Sequence, residues 1–159
     1  SRAVSVPVGD YDFKSVTFQY GIGAQHRASG FLSLEVGEFY DGTIRSMGYS
    51  RGRITVLNQF SLEPSVSFND VKMSAGDFTT TVLRLRADYA FTPLMFAGGL
   101  VQYDSDSDSF SSNLRFRWEY APGSEFFAVY TDARSTVGGG YPELENRAFV
   151  LKINRLFRL

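Results

Sequence analysis

Between Phe110 and Ala121 the chain alternates apolar and polar residues almost without a break. Phe110, Ser112, Leu114, Phe116, Trp118 and Tyr120 share one parity, and Ser111, Asn113, Arg115, Arg117 and Glu119 share the other. Successive side chains of a β-strand point to opposite faces, so this spacing demands a strand with one greasy side and one charged side. Thr81 to Phe91 repeats the pattern, with Leu83, Leu85, Ala87, Tyr89 and Phe91 against Val82, Arg84, Arg86 and Asp88. Phe149, Leu151, Ile153 and Phe157 do the same against Val150, Lys152 and Asn154. Helical periodicity is hard to find anywhere.

Weaker alternation fills the rest. Val16, Phe18, Tyr20 and Ile22 form one stripe, Leu32, Leu34 and Val36 a second, and Leu62, Val66 and Phe68 a third. Segments near 43–57, 94–104 and 125–134 also read as strands, with ambiguous facing. The whole predicts nine strands, at 14–26, 29–40, 43–57, 60–72, 78–91, 94–104, 110–121, 125–134 and 147–159, with no composition break, so 1–159 reads as one domain. Residues 26–28, Asn58-Gln59, Thr92-Pro93 and Pro122-Gly123-Ser124 read as tight turns. Asp41-Gly42, Lys72 to Asp77, Asp104 to Ser109 and Ser135 to Asn146 are mostly longer and more polar. Short turns at one end and longer loops at the other are the habit of a meander that crosses an outer membrane.

Period two shows only that one face is buried; composition bears on what buries it. Hydrophobic residues make up 43 % and no run approaches the ~18 apolar residues of a spanning helix. Aromatics are abundant, at 15 Phe, 9 Tyr and 1 Trp. They gather towards strand ends, with Tyr89, Phe91, Trp118, Tyr120 and Phe157 near the short turns and Phe39, Tyr40, Tyr103 and Phe110 near the long loops. Leu, Val and Ala hold the middles, the layout of two interfacial girdles. A strand of 10–12 residues at ~3.3 Å per residue and ~40° tilt rises about 25–30 Å, enough for the apolar band. The expectation is therefore an all-β, antiparallel, up-and-down transmembrane β-barrel, about 8–10 strands in this chain and part of a wider barrel. Glu35, Glu63, Arg84, Arg86, Asp88, Arg115, Arg117, Glu119 and Lys152 would then line the lumen, pairing across it or biasing small-solute passage. Acids and bases are mixed along this set, which favours the paired, structural use. A soluble lipocalin-like barrel, its apolar face turned to an inner cavity, is the alternative.

The chain ends on a further signal. Leu151, Ile153, Phe157 and Leu159 share one parity, interrupted by Arg155, and resemble the C-terminal strand that barrel-insertion machinery recognises in outer-membrane proteins. Gly76-Asp-Phe-Thr-Thr80, Arg84-Leu-Arg-Ala-Asp-Tyr89, Val101-Gln-Tyr103, Phe110-Ser-Ser-Asn-Leu-Arg-Phe-Arg-Trp118 and Pro122-Gly-Ser-Glu-Phe-Phe-Ala-Val-Tyr130, with Gly37-Glu-Phe-Tyr-Asp-Gly42 and Lys152-Ile-Asn-Arg-Leu-Phe-Arg158, resemble the C-terminal barrel of large Gram-negative surface proteins. In that group a carbohydrate-binding-like module precedes the barrel; none is found here, so no glycan role carries over. The resemblance implies an outer-membrane location with lipid and lipopolysaccharide as surroundings. Bacterial single-chain barrels have even strand numbers, so nine strands leave two readings. Either Ala3 to Val8 adds a tenth strand, despite Pro7, or another barrel segment or chain completes the wall. The start at Ser1, with neither Met nor an apolar leader, reads as a mature or excised chain.

Other chemistry is thinly represented. Cysteine is absent, which excludes disulfides, thiolate zinc sites and thiol catalysis. The near-zero net charge of -1 argues against nucleic-acid binding. His26, the single histidine, lies at a predicted turn with no Gly-x-Ser-x-Gly motif or triad pattern, so no enzyme is expected and an outer-membrane hydrolase is the weakest reading. Asp104-Ser-Asp-Ser-Asp108 has alternating carboxylates but lacks the glycine and distal Glu of a calcium loop. Gly138-Gly139-Gly140 lacks the Lys-Ser/Thr of a phosphate loop. No metal or cofactor is expected.

Overall fold

A computed structural model describes residues 13–138 and 141–157. Nine strands follow one another: β1 (Ser15–Ile22), β2 (Ala28–Phe39), β3 (Gly42–Leu57), β4 (Phe60–Lys72), β5 (Phe78–Thr92), β6 (Met95–Asp104), β7 (Ser109–Ala121), β8 (Ser124–Ser135) and β9 (Glu143–Asn154). Each pairs antiparallel with the next, giving a single up-and-down sheet in sequence order. No helix is present among the described residues. The sheet is not closed: among the described residues β1 and β9 pair on one side only.

Register carries the alternation of each strand across the whole sheet. Val16, Phe18 and Tyr20 face Val36, Leu34 and Leu32, and Leu34 faces Met47, which faces Phe68. The row continues through Val66 and Leu83, Tyr103, Val101, Leu114, Tyr130 and Phe149. The result is one apolar face nine strands wide. At its short-turn end Phe60, Tyr89, Phe91, Phe116 and Phe126 form successive ring contacts 4.7–6.4 Å apart, and Trp118 meets Tyr120 at 6.0 Å. Aromatic rings favour such edge and tilted contacts.

That face is bare. Leu83, Leu114 and Ile153 are 43 %, 51 % and 69 % exposed. Among the described residues the buried hydrophobic side chains are Val71 and Met73, both at the long-loop end of β4. The chain exposes 11522 Å², against about 8,000 Å² expected of a compact protein this size. Among the described residues this sheet has almost no buried core.

Several boundaries differ from the sequence reading. The first turn spans 23–27, as long as the loop at 73–77, and the β2–β3 turn is only Tyr40-Asp41, so connections are sorted by length less cleanly than predicted. Phe39 has the parity of Glu35 and Gly37, so it belongs to the polar face rather than to an apolar girdle. The last strand starts four residues earlier and stops at Asn154, so Leu151 and Ile153 lie in β9 on the apolar face while Phe157 lies beyond it. Leu159, and the tenth strand suggested at Ala3 to Val8, lie outside the described residues.

One irregularity shapes the sheet. Pro64 sits inside β4, where a proline cannot donate to a ladder. The β3–β4 pairing jumps from Tyr49↔Val66 to Ile54↔Leu62, placing a β-bulge opposite that proline. The β2–β3 ladder shifts at the same level, between Ser29 and Phe31. Arg51 takes a left-handed φ of 51° there, and Gly30 a φ of 151°. The Tyr49 ring lies over both Gly30 and Gly52, and its hydroxyl donates to the Ser29 carbonyl at 2.6 Å.

Candidate functional site

The face opposite the apolar one gathers every residue predicted to line a lumen. By register Glu35, Glu63, Arg84, Arg86, Asp88, Arg115, Arg117, Glu119 and Lys152 all fall on it. Many are partnered. Arg86 pairs with Asp88 at 2.7 Å and stands opposite Glu63, which lies 3.8 Å from Arg53. Arg84 donates through Nε and Nη2 to Gln102 Oε1 at 3.2 and 3.1 Å. Arg117 pairs with Glu125 and stacks 5.5 Å over Phe96, and Glu119 accepts the Gly123 N–H at 3.0 Å. Asn113 donates to Thr131 at 2.9 Å. Arg115, Glu35 and Lys152 form no ion pair among the described residues. Solvent-exposed pairs of this kind contribute about 0–1 kcal/mol each, so they organise the face more than they hold the fold.

The bulge opens a recess of about 690 Å³ in this face, lined by residues of β2 to β6. Arg51, Arg53, Arg84 and Arg86 line it with a single carboxylate, Glu63, and the hydroxyls of Ser29, Ser50 and Ser65. Arg51 is braced 5.6 Å over the Phe31 ring. That ring lies over Gly21, where a Cβ would come within 3.0 Å of it. Arg51 and Arg53 escape the sequence reading because the bulge interrupts alternation in β3.

A second cluster was also missed. Asp132 belongs to the apolar parity of β8, near the long-loop end, and is only 4 % exposed. It accepts from Arg134 Nε at 2.6 Å, Arg147 Nε at 2.9 Å and the Tyr130 hydroxyl at 3.2 Å. Arg134 also reaches the Pro142 carbonyl at 3.4 Å and stacks 5.4 Å over Tyr141, tying the loop to β8 and β9. The signal was the charge itself, standing in line with Phe126, Ala128 and Tyr130. Removing a buried carboxylate strands its cations. Asp132→Ala is therefore expected to lower the thermal denaturation midpoint clearly more than Asp88→Ala, whose partner Arg86 is well exposed.

The remaining candidates stay apart. His26 is exposed in the 23–27 turn, where its N–H bonds the Gly23 carbonyl at 3.2 Å. Asp104 Oδ1 accepts the Asp106 and Ser107 N–H groups at 2.9 and 3.4 Å, closing a turn on itself. Among the described residues no group of His, Asp or Glu could hold a metal ion. Gly138 has a φ of 97° with open space around it, while Gly139 and Gly140 lie outside the described residues. Past β9 the Leu156 N–H bonds Ser124 Oγ at 3.0 Å, and Arg155 stacks on Phe157 at 5.0 Å. Comparison of the chain with protein families, with curated proteins and with solved structures finds no match.

Proposed function

We propose that this sheet is the wall of an outer-membrane β-barrel, of the kind its sequence resembles, and that it anchors its protein in the lipid. One observation carries the reading: a nine-stranded apolar face stands uncovered, backed by a face of arginines, acids and hydroxyls. Exposing that much apolar surface to water is costly, at roughly 25 cal/mol per Å². Hydrocarbon covers it at no such cost, and the aromatic contacts at one end suit a lipid–water interface.

Strand parity adds a requirement. In a meander of nine strands β1 and β9 run in the same direction. Joining them directly would make a parallel seam, whereas bacterial barrels close antiparallel. Closure therefore takes an odd number of further strands, from residues outside those described or from another polypeptide. Open edges do not persist in hydrocarbon, where every N–H and C=O needs a partner. Inside such a wall the pairs Arg86–Asp88 and Arg117–Glu125 would neutralise charge along its inner face. Passive solute passage is the second reading, favoured by Arg115 and Lys152, which form no ion pair among the described residues. Reconstitution into liposomes separates the outcomes. Co-flotation without conductance is the result expected of a braced anchor, co-flotation with conductance makes the wall a pore, and failure to float with lipid removes both.

A further inference from the structure

The recess at the β-bulge is built for more than bracing. Four guanidiniums surround it against one carboxylate, and two of the four spend their contacts on neutral groups. Arg84 holds the Gln102 amide oxygen, and Arg51 lies on the Phe31 ring. Glu63 lies 3.8 Å from Arg53, and Arg86 is engaged by Asp88. The recess therefore keeps surplus positive charge at Arg51 and Arg84, on forks whose planar donors match phosphate oxygens two at a time. Arg51 is held there by a left-handed backbone that a non-glycine residue rarely adopts. Such conformations collect where a side chain must be aimed, and bulges re-aim side chains in this way. Phe31 over Gly21 fixes the ring on which the guanidinium rests, so the donor is set before a ligand arrives.

We propose that this recess binds a phosphorylated polyhydroxyl solute, by class a sugar phosphate. The arginines would take the phosphate, and Ser29, Ser50 and Ser65 offer hydroxyls to the sugar. Its 690 Å³ falls within the roughly 300–1,000 Å³ of small-molecule sites. Glu63, Ser65, Arg84 and Arg86 lie by register on the polar face, so the site stands whichever medium covers the apolar one.

Calorimetric titration of the detergent-solubilised chain tests it, with glucose 6-phosphate, inorganic phosphate and glucose as probes. Glucose 6-phosphate is expected to bind more tightly than either of the others. Arg51→Gln and Arg84→Gln should each weaken it about tenfold or more, the worth of a lost charge-assisted contact. Arg155→Gln, which removes the same charge at the far edge of the sheet, should leave it unchanged. Phe31→Leu keeps every charge and should weaken binding in the same direction by freeing Arg51. Unchanged far-ultraviolet dichroism in each variant shows that the sheet is retained. Absence of glucose 6-phosphate binding, equal binding of inorganic phosphate, or an equal loss in Arg155→Gln overturns the proposal.

Discussion

Leu114→Arg is expected to prevent the chain from entering a bilayer, while Arg115→Leu, one residue along, leaves entry intact. Leu114 lies in mid-β7 between Gly99 and Tyr130, 51 % exposed on the apolar face. A guanidinium there would project into hydrocarbon, at a cost of about 2–4 kcal/mol near the midplane of a barrel wall. Arg115 faces the opposite way, opposite Gly98 and Val129, and forms no ion pair among the described residues. Its replacement by leucine removes a charge from the polar face and strands no carboxylate. The readout is the fraction of each variant that floats with liposomes after refolding. A water-soluble sheet would show no such contrast, since neither variant would then float with lipid.

Gly30→Ala should be strongly destabilising, because it combines backbone strain with a steric clash. The φ of 151° at Gly30 is open to glycine and strained for alanine, which costs about 1–3 kcal/mol. The added Cβ would also meet the Tyr49 ring at 2.5 Å, and that ring is tethered by its hydroxyl to the Ser29 carbonyl. Overpacking of this kind costs a further ~1–3 kcal/mol. A double-mutant cycle with Tyr49→Ala divides the two contributions. The larger residue should cost less in the Tyr49→Ala background, by the amount the ring clash supplies, while the backbone strain persists. Additive effects would show that the ring does not press on Gly30.

The strand count and the facing of most strands were legible because period-two alternation is a local signal, repeated until register had little freedom. Phe110 to Ala121 illustrates this: its two stripes remain two faces in the sheet. The features that were not legible all break that rule. Arg51 and Arg53 lie within the stretch of β3 that bulges between Tyr49 and Ile54, where alternation is broken. Pro64 announced the bulge, since a proline within a central strand needs a gap in the neighbouring ladder. Asp132 was read past because its stripe is apolar, although a carboxylate in such a stripe needs partners, here Arg134 and Arg147. Phe157 kept the right parity beyond the point where β8 ceases to offer a partner, so parity alone overextended the last strand. Closure lies in no local pattern, because it depends on which edges meet.

The central claim is that hydrocarbon touches the apolar face, and Trp118 reports on it without substitution. It is the chain's single tryptophan, 42 % exposed on that face and part of the aromatic group at the short-turn end. In liposomes carrying phospholipids brominated on the acyl chains, its fluorescence should be strongly quenched, more by bromines near the headgroup than by bromines near the chain end, with little quenching by aqueous iodide. Emission indifferent to brominated lipid and readily quenched by iodide would place the stripe in water or against protein, and the membrane reading would be lost.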